Sequence, residues 1–207
     1  MKDYNQEYFF LQEKGNNYPL ISYVDWPDGD IAFLEAPYKE NKIIPFKFRD
    51  PLPSKPEIAD LHACSYKMIV SQRIKMQLEE MNLKEVQFIP ATIYNQAGEI
   101  VEGYYIIHIY HFIQAMDKEK SDWEEDSNPE QAYSIDELVL DNEKLDKIPL
   151  EDRLVFALKE HPLTTVYHRS VIDRILALQP IGVGVYCLAD WDESNPFEDE
   201  FREYIMS

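Results

Sequence analysis

The chain contains little glycine and little cysteine, and each shortage excludes a class of site. Only 6 of the 207 residues are glycine, too few for the loops that cradle phosphates. No G-x-S-x-G motif, P-loop or dinucleotide fingerprint occurs. Cys64 and Cys187 lie far apart and predict neither a metal-ligand cluster nor a disulfide framework. We therefore predict reduced thiols, no enzyme, no catalytic residues and no cofactor.

Long hydrophobic runs are also missing. The most apolar stretch, residues 104–110, is interrupted by His108 and falls short of the roughly 20 residues that span a bilayer. The first residues lack the basic segment and apolar stretch that mark a signal peptide. The sequence therefore predicts a protein without a membrane segment, located in the cytoplasm.

Positive charge is the third shortage. The 20 Lys and Arg residues face 39 Asp and Glu residues, which leaves a formal net charge of −19. Such a chain repels nucleic-acid phosphates and anionic membranes. Hydrophobic residues nevertheless make up 45% of the chain, which is typical of a globular protein. We predict a protein partner with a basic surface, and no binding to nucleic acid or membrane.

The distribution of turn-forming residues predicts two regions. Residues 1–50 combine aromatic runs with scattered glycine and proline, which favours short strands and an N-terminal β-rich subregion. Four prolines between residues 45 and 56 predict a connector, because proline removes a backbone donor. Residues 51–207 then form the second region.

Local patterns in the second region predict alternating strands and helices. A strand is expected at residues 66–70, followed by a helix that Ser71 can cap and another strand at residues 86–89. The turn residues 95–98 separate the two strands of a β-hairpin.

A shift of 97 positions aligns apolar residues of this region with a later segment. Ile69 falls on Val166, and Leu78 falls on Ile175. The predicted fold is therefore α+β, a mixed sheet with two repeated strand-helix-strand units and the N-terminal β-rich subregion.

Most of the acidity lies in two blocks. Residues 117–152 contain 14 acidic and 4 basic residues, a net charge of −10, and residues 189–207 contain 7 and 1, a net charge of −6. Each block has a tryptophan beside carboxylates, which suits a partner-binding surface. The alternative is a solvated acidic loop whose tryptophan packs back onto the core. The predicted partner-binding residues are Trp123, Glu124, Glu125, Asp126, Trp191, Asp192 and Glu193.

The histidines provide the main argument for a metal site. His108 and His111 form an H-x-x-H pair, but residues three apart on a strand point to opposite faces. We therefore predict no metal site, and a metal-dependent hydrolase is the least favoured function.

Several stretches resemble a known family. Ser71-Gln72-Arg73, residues 86–91, the hairpin from Gly98 to Tyr105, and the later segments 138–141 and 166–186 are similar to a bacterial polymorphic-toxin immunity family, numbered eleven and formerly a domain of unknown function. The resemblance covers roughly residues 45–190. It implies a bacterial protein that binds and neutralises a cognate toxin. The alternative is an acidic adaptor that binds a basic host protein, and an adjacent toxin-like gene would favour the first function.

Overall fold

The structure is a computed structural model, and it describes residues 3–14, 18–24, 35–40, 42–49, 58–64, 67–128 and 130–191. Within them the fold is mixed α/β and dominated by sheets. The strands are β1 (Tyr8–Glu13), β2 (Ile21–Tyr23), β3 (Ile44–Phe48), β4 (Leu61–Cys64), β5 (Lys67–Ser71), β6 (Val86–Tyr94), β7 (Ile100–Ile109), β8 (Phe112–Ile113), β9 (Asp122–Glu125), β10 (Ala132–Glu137), β11 (Val155–Leu158), β12 (Thr165–His168) and β13 (Val183–Cys187). The α-helices of this described part are α1 (Gln72–Glu79), α2 (Asn142–Leu145) and α3 (Arg169–Leu176), and none is long and apolar enough to cross a membrane.

Two large sheets form the body of the described chain. One has five strands in the order β13-β1-β12-β11-β8, and the other has six in the order β2-β3-β6-β7-β5-β4. The pairs β11/β8 and β3/β6 are parallel, and the other neighbouring strands are antiparallel. The first acidic block supplies a separate antiparallel hairpin, β9/β10.

Strand β1 lies inside the five-stranded sheet and is buried on both faces. Phe9 and Leu11 belong to a core cluster shared with the six-stranded sheet, and Tyr8 and Phe10 belong to a cluster on the other face. Alternate residues of a strand point to opposite faces, so a run of apolar residues suits a strand with a core on each side. The N-terminal strands are shared between both large sheets, and the domain division at residue 50 stays a prediction.

Helices α1 and α3 each connect two strands that flank a third strand. Helix α1 joins β5 to β6, and both strands pair with β7. Helix α3 joins β12 to β13, and both strands pair with β1. The backbone φ angle is 50° at Asn82 and again at Gln179, shortly after each helix. Both segments have the predicted order of elements, while their origin as copies of one repeat stays a prediction.

The prediction that the proline-rich stretch from residue 45 is a connector was wrong at its start. Residues 44–48 form β3, in which Pro45 lies beside Thr92 of β6. Proline lacks the backbone donor, but the Pro45 carbonyl accepts a hydrogen bond from Val24 N at 3.0 Å, so the strand keeps a partner there. The three later prolines of the stretch lie outside the described residues.

The local elements predicted between residues 66 and 109 are found as β5, α1, β6 and β7, except that the predicted strand at residues 86–89 and the first hairpin strand are one continuous strand, β6. Gly98 has a φ angle of 79° in the turn between β6 and β7. Ser71 stands at the start of α1, but it makes no side-chain cap. Its hydroxyl instead donates to Asp60 at 2.6 Å, which ties the helix to the segment before β4.

Candidate protein-interaction site

The hairpin β9/β10 is anchored to the core through one face. Trp123 pairs with Ile135 across the hairpin, and both side chains pack against the core cluster that contains Phe156. The indole nitrogen of Trp123 donates to the carbonyl of Lys118 at 3.1 Å, and the Lys118 ammonium lies 4.6 Å from the ring centroid. Trp123 is therefore half-buried and fixed by contacts within the chain.

Exposed acids and an exposed aromatic residue lie along this hairpin beside the anchored Trp123 and Ile135. Glu124 and Glu125 are exposed, and Tyr133 has 71% of its surface exposed. Ala132 pairs with Glu125 and Ser134 with Glu124, so the register shifts at Tyr133 and leaves it without a directly opposite residue. Such a bulge changes the direction of the local side chains. Tyr133 therefore stands among carboxylates on the solvent side.

The turn of the hairpin is held by its own hydrogen bonds. Asp126 N donates to the Gln131 carbonyl at 3.1 Å, and Gln131 N donates to the Asn128 carbonyl at 2.9 Å. The Asp126 carboxylate accepts a hydrogen bond from the Ser127 hydroxyl at 2.9 Å, and the side chain is half-buried. These contacts order the acidic tip without neutralising its charge.

Charge within the first acidic block is unevenly distributed. Residues 122–137 contain seven acidic and no basic residues, whereas Lys118, Lys120 and Lys144 lie just outside this range. Lys120 donates to Asp117 at 2.5 Å, and this hydrogen bond lowers the pKa of the Asp117 carboxyl. Lys118 meets the hairpin at the Trp123 ring and at the Glu130 carbonyl, 3.5 Å away, so carboxylates outnumber cations there rather than standing alone.

The second predicted tryptophan also packs on the core. Trp191 follows a 3₁₀ turn, Leu188–Asp190, and its ring meets Phe10 with centroids 4.7 Å apart. The two similar tryptophan stretches thus differ locally, since Trp123 lies in a strand and Trp191 does not. Both rings pack on the same core cluster. Asp192 and Glu193 lie outside the described residues.

The histidine pair does not converge on one site. His108 Nε2 lies 2.7 Å from the Ala36 carbonyl, and burial lowers the pKa of this fully buried imidazole. His111 instead contacts Glu85 Oε2 at 2.8 Å and the Asp152 carbonyl at 2.7 Å. Within the described ranges no group of three or more His, Cys, Asp or Glu residues could hold a metal ion.

Tyr133 is the residue that the sequence interpretation missed. The Ala-Tyr-Ser-Ile stretch is typical of a strand, but a sequence pattern of alternating buried residues does not show where the pairing register shifts. The nearby acids were the available signal, because an aromatic residue flanked by a block with seven carboxylates and no basic residue suits a polar surface.

A family model described as Immunity protein family (Imm11) matches residues 14–190, which include both large sheets' central strands and the acidic hairpin. No curated protein matches the chain.

Proposed function

The chain belongs to the Immunity protein family (Imm11), and we propose that it neutralises a cognate bacterial toxin by direct protein-protein contact. The observation that carries this proposal is the acidic hairpin, in which Glu124, Glu125 and Tyr133 are exposed while Trp123 and Ile135 pack on the core. A contact surface on a rigid support needs little ordering when it binds.

The charge of this hairpin supports a toxin partner with a basic surface. Seven carboxylates without a basic residue create a local negative potential that attracts such a surface and raises the association rate. A toxin that acts on nucleic acid would offer a basic cleft. The hairpin carboxylates would then occupy positions that phosphates take in the substrate.

An exposed tyrosine adds the apolar part of the proposed interface. Tyrosine is enriched among the residues that dominate binding energy, since its ring fills a pocket and its hydroxyl can hydrogen-bond. Tyr133 lies between the residues that pair with Glu124 and Glu125, so ring and charge would reach the partner together. We propose that Trp123 acts as a positioning residue that holds this hairpin on the core. Asp126, Trp191, Asp192 and Glu193 remain proposed members of the surface.

Charge reversal tests this function. The double variant Glu124→Lys/Glu125→Lys should bind the toxin encoded beside its gene at least about 10-fold more weakly, mainly through a slower association rate. Surface plasmon resonance at two salt concentrations separates association from dissociation. Protection of cells that express the toxin gives the functional readout.

The matched control carries the same charge change at exposed glutamates outside the hairpin. Glu102→Lys/Glu151→Lys places one change on β7 and one in the 3₁₀ turn before β11. Binding by this control should stay within about twofold of wild type. Equal losses in both variants would show a general charge effect, and unchanged binding in the hairpin variant would remove the hairpin from the interface. Capture of a basic host protein without any toxin would favour the adaptor function.

A further inference from the structure

A cleft lies beside the turn of the acidic hairpin. Its volume is about 310 Å³, and it is bordered by the hairpin turn and by the loop after β11. Its lining includes three carboxylate residues, one lysine and amide side chains, among them Glu35, Glu130, Glu160, Lys159 and Gln131. The cleft therefore contains more negative than positive charge.

Glu160 is the deeply buried member of this lining, with 1% of its surface exposed. One carboxylate oxygen, Oε1, accepts a hydrogen bond from Met116 N at 3.1 Å. The Glu160 carbonyl accepts another from Ala132 N at 2.7 Å, which fixes the start of β10. The second carboxylate oxygen, Oε2, is buried and has no hydrogen-bond partner within the described part of the chain.

An unpartnered buried carboxylate oxygen calls for a physical explanation. Burying a charged group without a compensating partner costs several kcal/mol, so native proteins retain few such groups. The other two carboxylates on the cleft, Glu35 and Glu130, repel the Glu160 carboxylate and do not stabilise its charge. Lys159 lies on the cleft with an exposed side chain, and within the described part of the chain it forms no ion pair with Glu160. A cation from outside would remove the deficit.

We propose that this cleft receives one basic side chain, lysine or arginine, from the toxin, an inference that rests on the proposed function. The charged group would displace the atoms that cover Glu160 Oε2 and donate to it, and exposed Glu130 would contribute a second carboxylate. A volume of about 310 Å³ lies at the lower end of small-ligand pockets, roughly 300 to 1,000 Å³, so it suits a single long side chain rather than a folded segment.

The cleft and Tyr133 are linked through the start of β10. Ala132, which Glu160 holds by its backbone, is the residue that precedes Tyr133. A toxin seated on Tyr133 would therefore place a neighbouring basic side chain within reach of the cleft. In such a complex the Tyr133 ring would fill a pocket of the toxin, and a basic side chain of the toxin would fill the cleft.

The substitution Glu160→Gln tests the proposal on the full chain. Glutamine preserves the shape and an acceptor for Met116 N, but it removes the charge. We expect the toxin encoded beside the gene to bind E160Q about 10-fold more weakly or worse, chiefly through faster dissociation. The thermal midpoint should be unchanged or higher, since a buried charge is lost. Glu102→Gln on β7 is the matched control and should bind like wild type.

If wild type binds the toxin and E160Q binds it within twofold of wild type, the proposed role of the cleft is wrong. The proposed function would be unaffected by that result. Should E160Q fail to fold, Glu130→Gln replaces it, because Glu130 is exposed, and a loss of about threefold is expected.

If the wild-type chain does not bind the toxin encoded beside its gene, the proposed function is contradicted. A small-molecule probe then tests separately whether the cleft binds a cation. Acetyl-arginine amide, added at millimolar concentration, should shift the backbone NMR signals of Gln131 and Lys159 in wild type but not in E160Q. The uncharged citrulline analogue should shift neither. Equal shifts with both probes, or none with either, would overturn the cleft as a cation site.

Discussion

Replacing Asp60 with asparagine tests a contact that joins the two strand-helix-strand segments. The Asp60 side chain is 9% exposed. Its Oδ1 atom accepts hydrogen bonds from Ser71 Oγ at 2.6 Å and Arg73 Nε at 2.7 Å, and its Oδ2 atom accepts from Ile181 N at 2.8 Å and from Arg73 Nη2. Ser71 and Arg73 belong to the first segment, and Ile181 lies just before β13 in the second.

The expected cost follows from which bonds asparagine cannot make. Its amide group would replace Oδ2 and would face two donors, Ile181 N and the Arg73 guanidinium. A buried donor left without a partner costs about 1 to 3 kcal/mol, and hydrogen bonds to a charged group contribute about 1.5 to 3 kcal/mol. The Arg73 side chain is 45% exposed, so water replaces part of its loss. We expect the free energy of unfolding to fall by about 3 kcal/mol.

Urea denaturation at neutral pH measures this change. The control Asp152→Asn makes the same substitution in the Lys84–Asp152 pair, whose atoms lie 3.0 Å apart and whose side chains are 43% and 39% exposed. That exposed pair should contribute less than about 1 kcal/mol. A loss in the Asp60 variant no larger than in the Asp152 variant would refute the reasoning.

The same comparison has a defined pH dependence. Burial raises the pKa of Asp60, but hydrogen bonds from Arg73, Ser71 and Ile181 N outweigh it and leave the pKa below its ordinary value of 3.8. Because the folded-state pKa is depressed, this stabilisation is present above pH about 4 and is lost as the pH falls through the folded-state pKa. The difference in unfolding free energy between wild type and D60N should therefore shrink in acid. If the difference between wild type and D60N is the same in acid as at neutral pH, the stabilisation does not come from the Asp60 carboxylate.

Three further predictions concern single side chains. Gly182→Ala should lower the free energy of unfolding by more than about 2 kcal/mol in the same urea assay, because φ is +74° and the new Cβ would lie 2.5 Å from Ala59 Cβ. The control Gly98→Ala, where φ is +79° and no atom lies within 4 Å of the new Cβ, should cost about half as much. Tyr133→Ala should weaken toxin binding at least about 10-fold in calorimetry with an unchanged thermal midpoint, since the side chain is 71% exposed. Trp123→Ala should reduce stability by about 2 kcal/mol and also weaken toxin binding, whereas loss of binding without loss of stability would contradict its positioning role.

The elements that depend on neighbouring residues could be predicted from the sequence. Helix α1 follows from the helical spacing of Ile74 and Leu78, both buried, and the β6/β7 turn follows from the residues before Gly98. The position of β1 could not be predicted, because Tyr8 pairs with His168, 160 residues later. Such pairing arises from complementary buried faces of distant segments, and no local pattern contains that information.

The tryptophan of the acidic block shows why the position of the charge was easier to predict than the residues that contact a partner. Counting carboxylates is enough to find the block, since charge does not depend on strand pairing. The direction of an aromatic side chain does depend on it, because a shift of one residue reverses the face on which later residues lie. Trp123 pairs with Ile135 and turns toward the core, and the shift beside Ala132 leaves Tyr133 outside. In the proposed interface, the tryptophan therefore fixes the hairpin and the tyrosine meets the toxin.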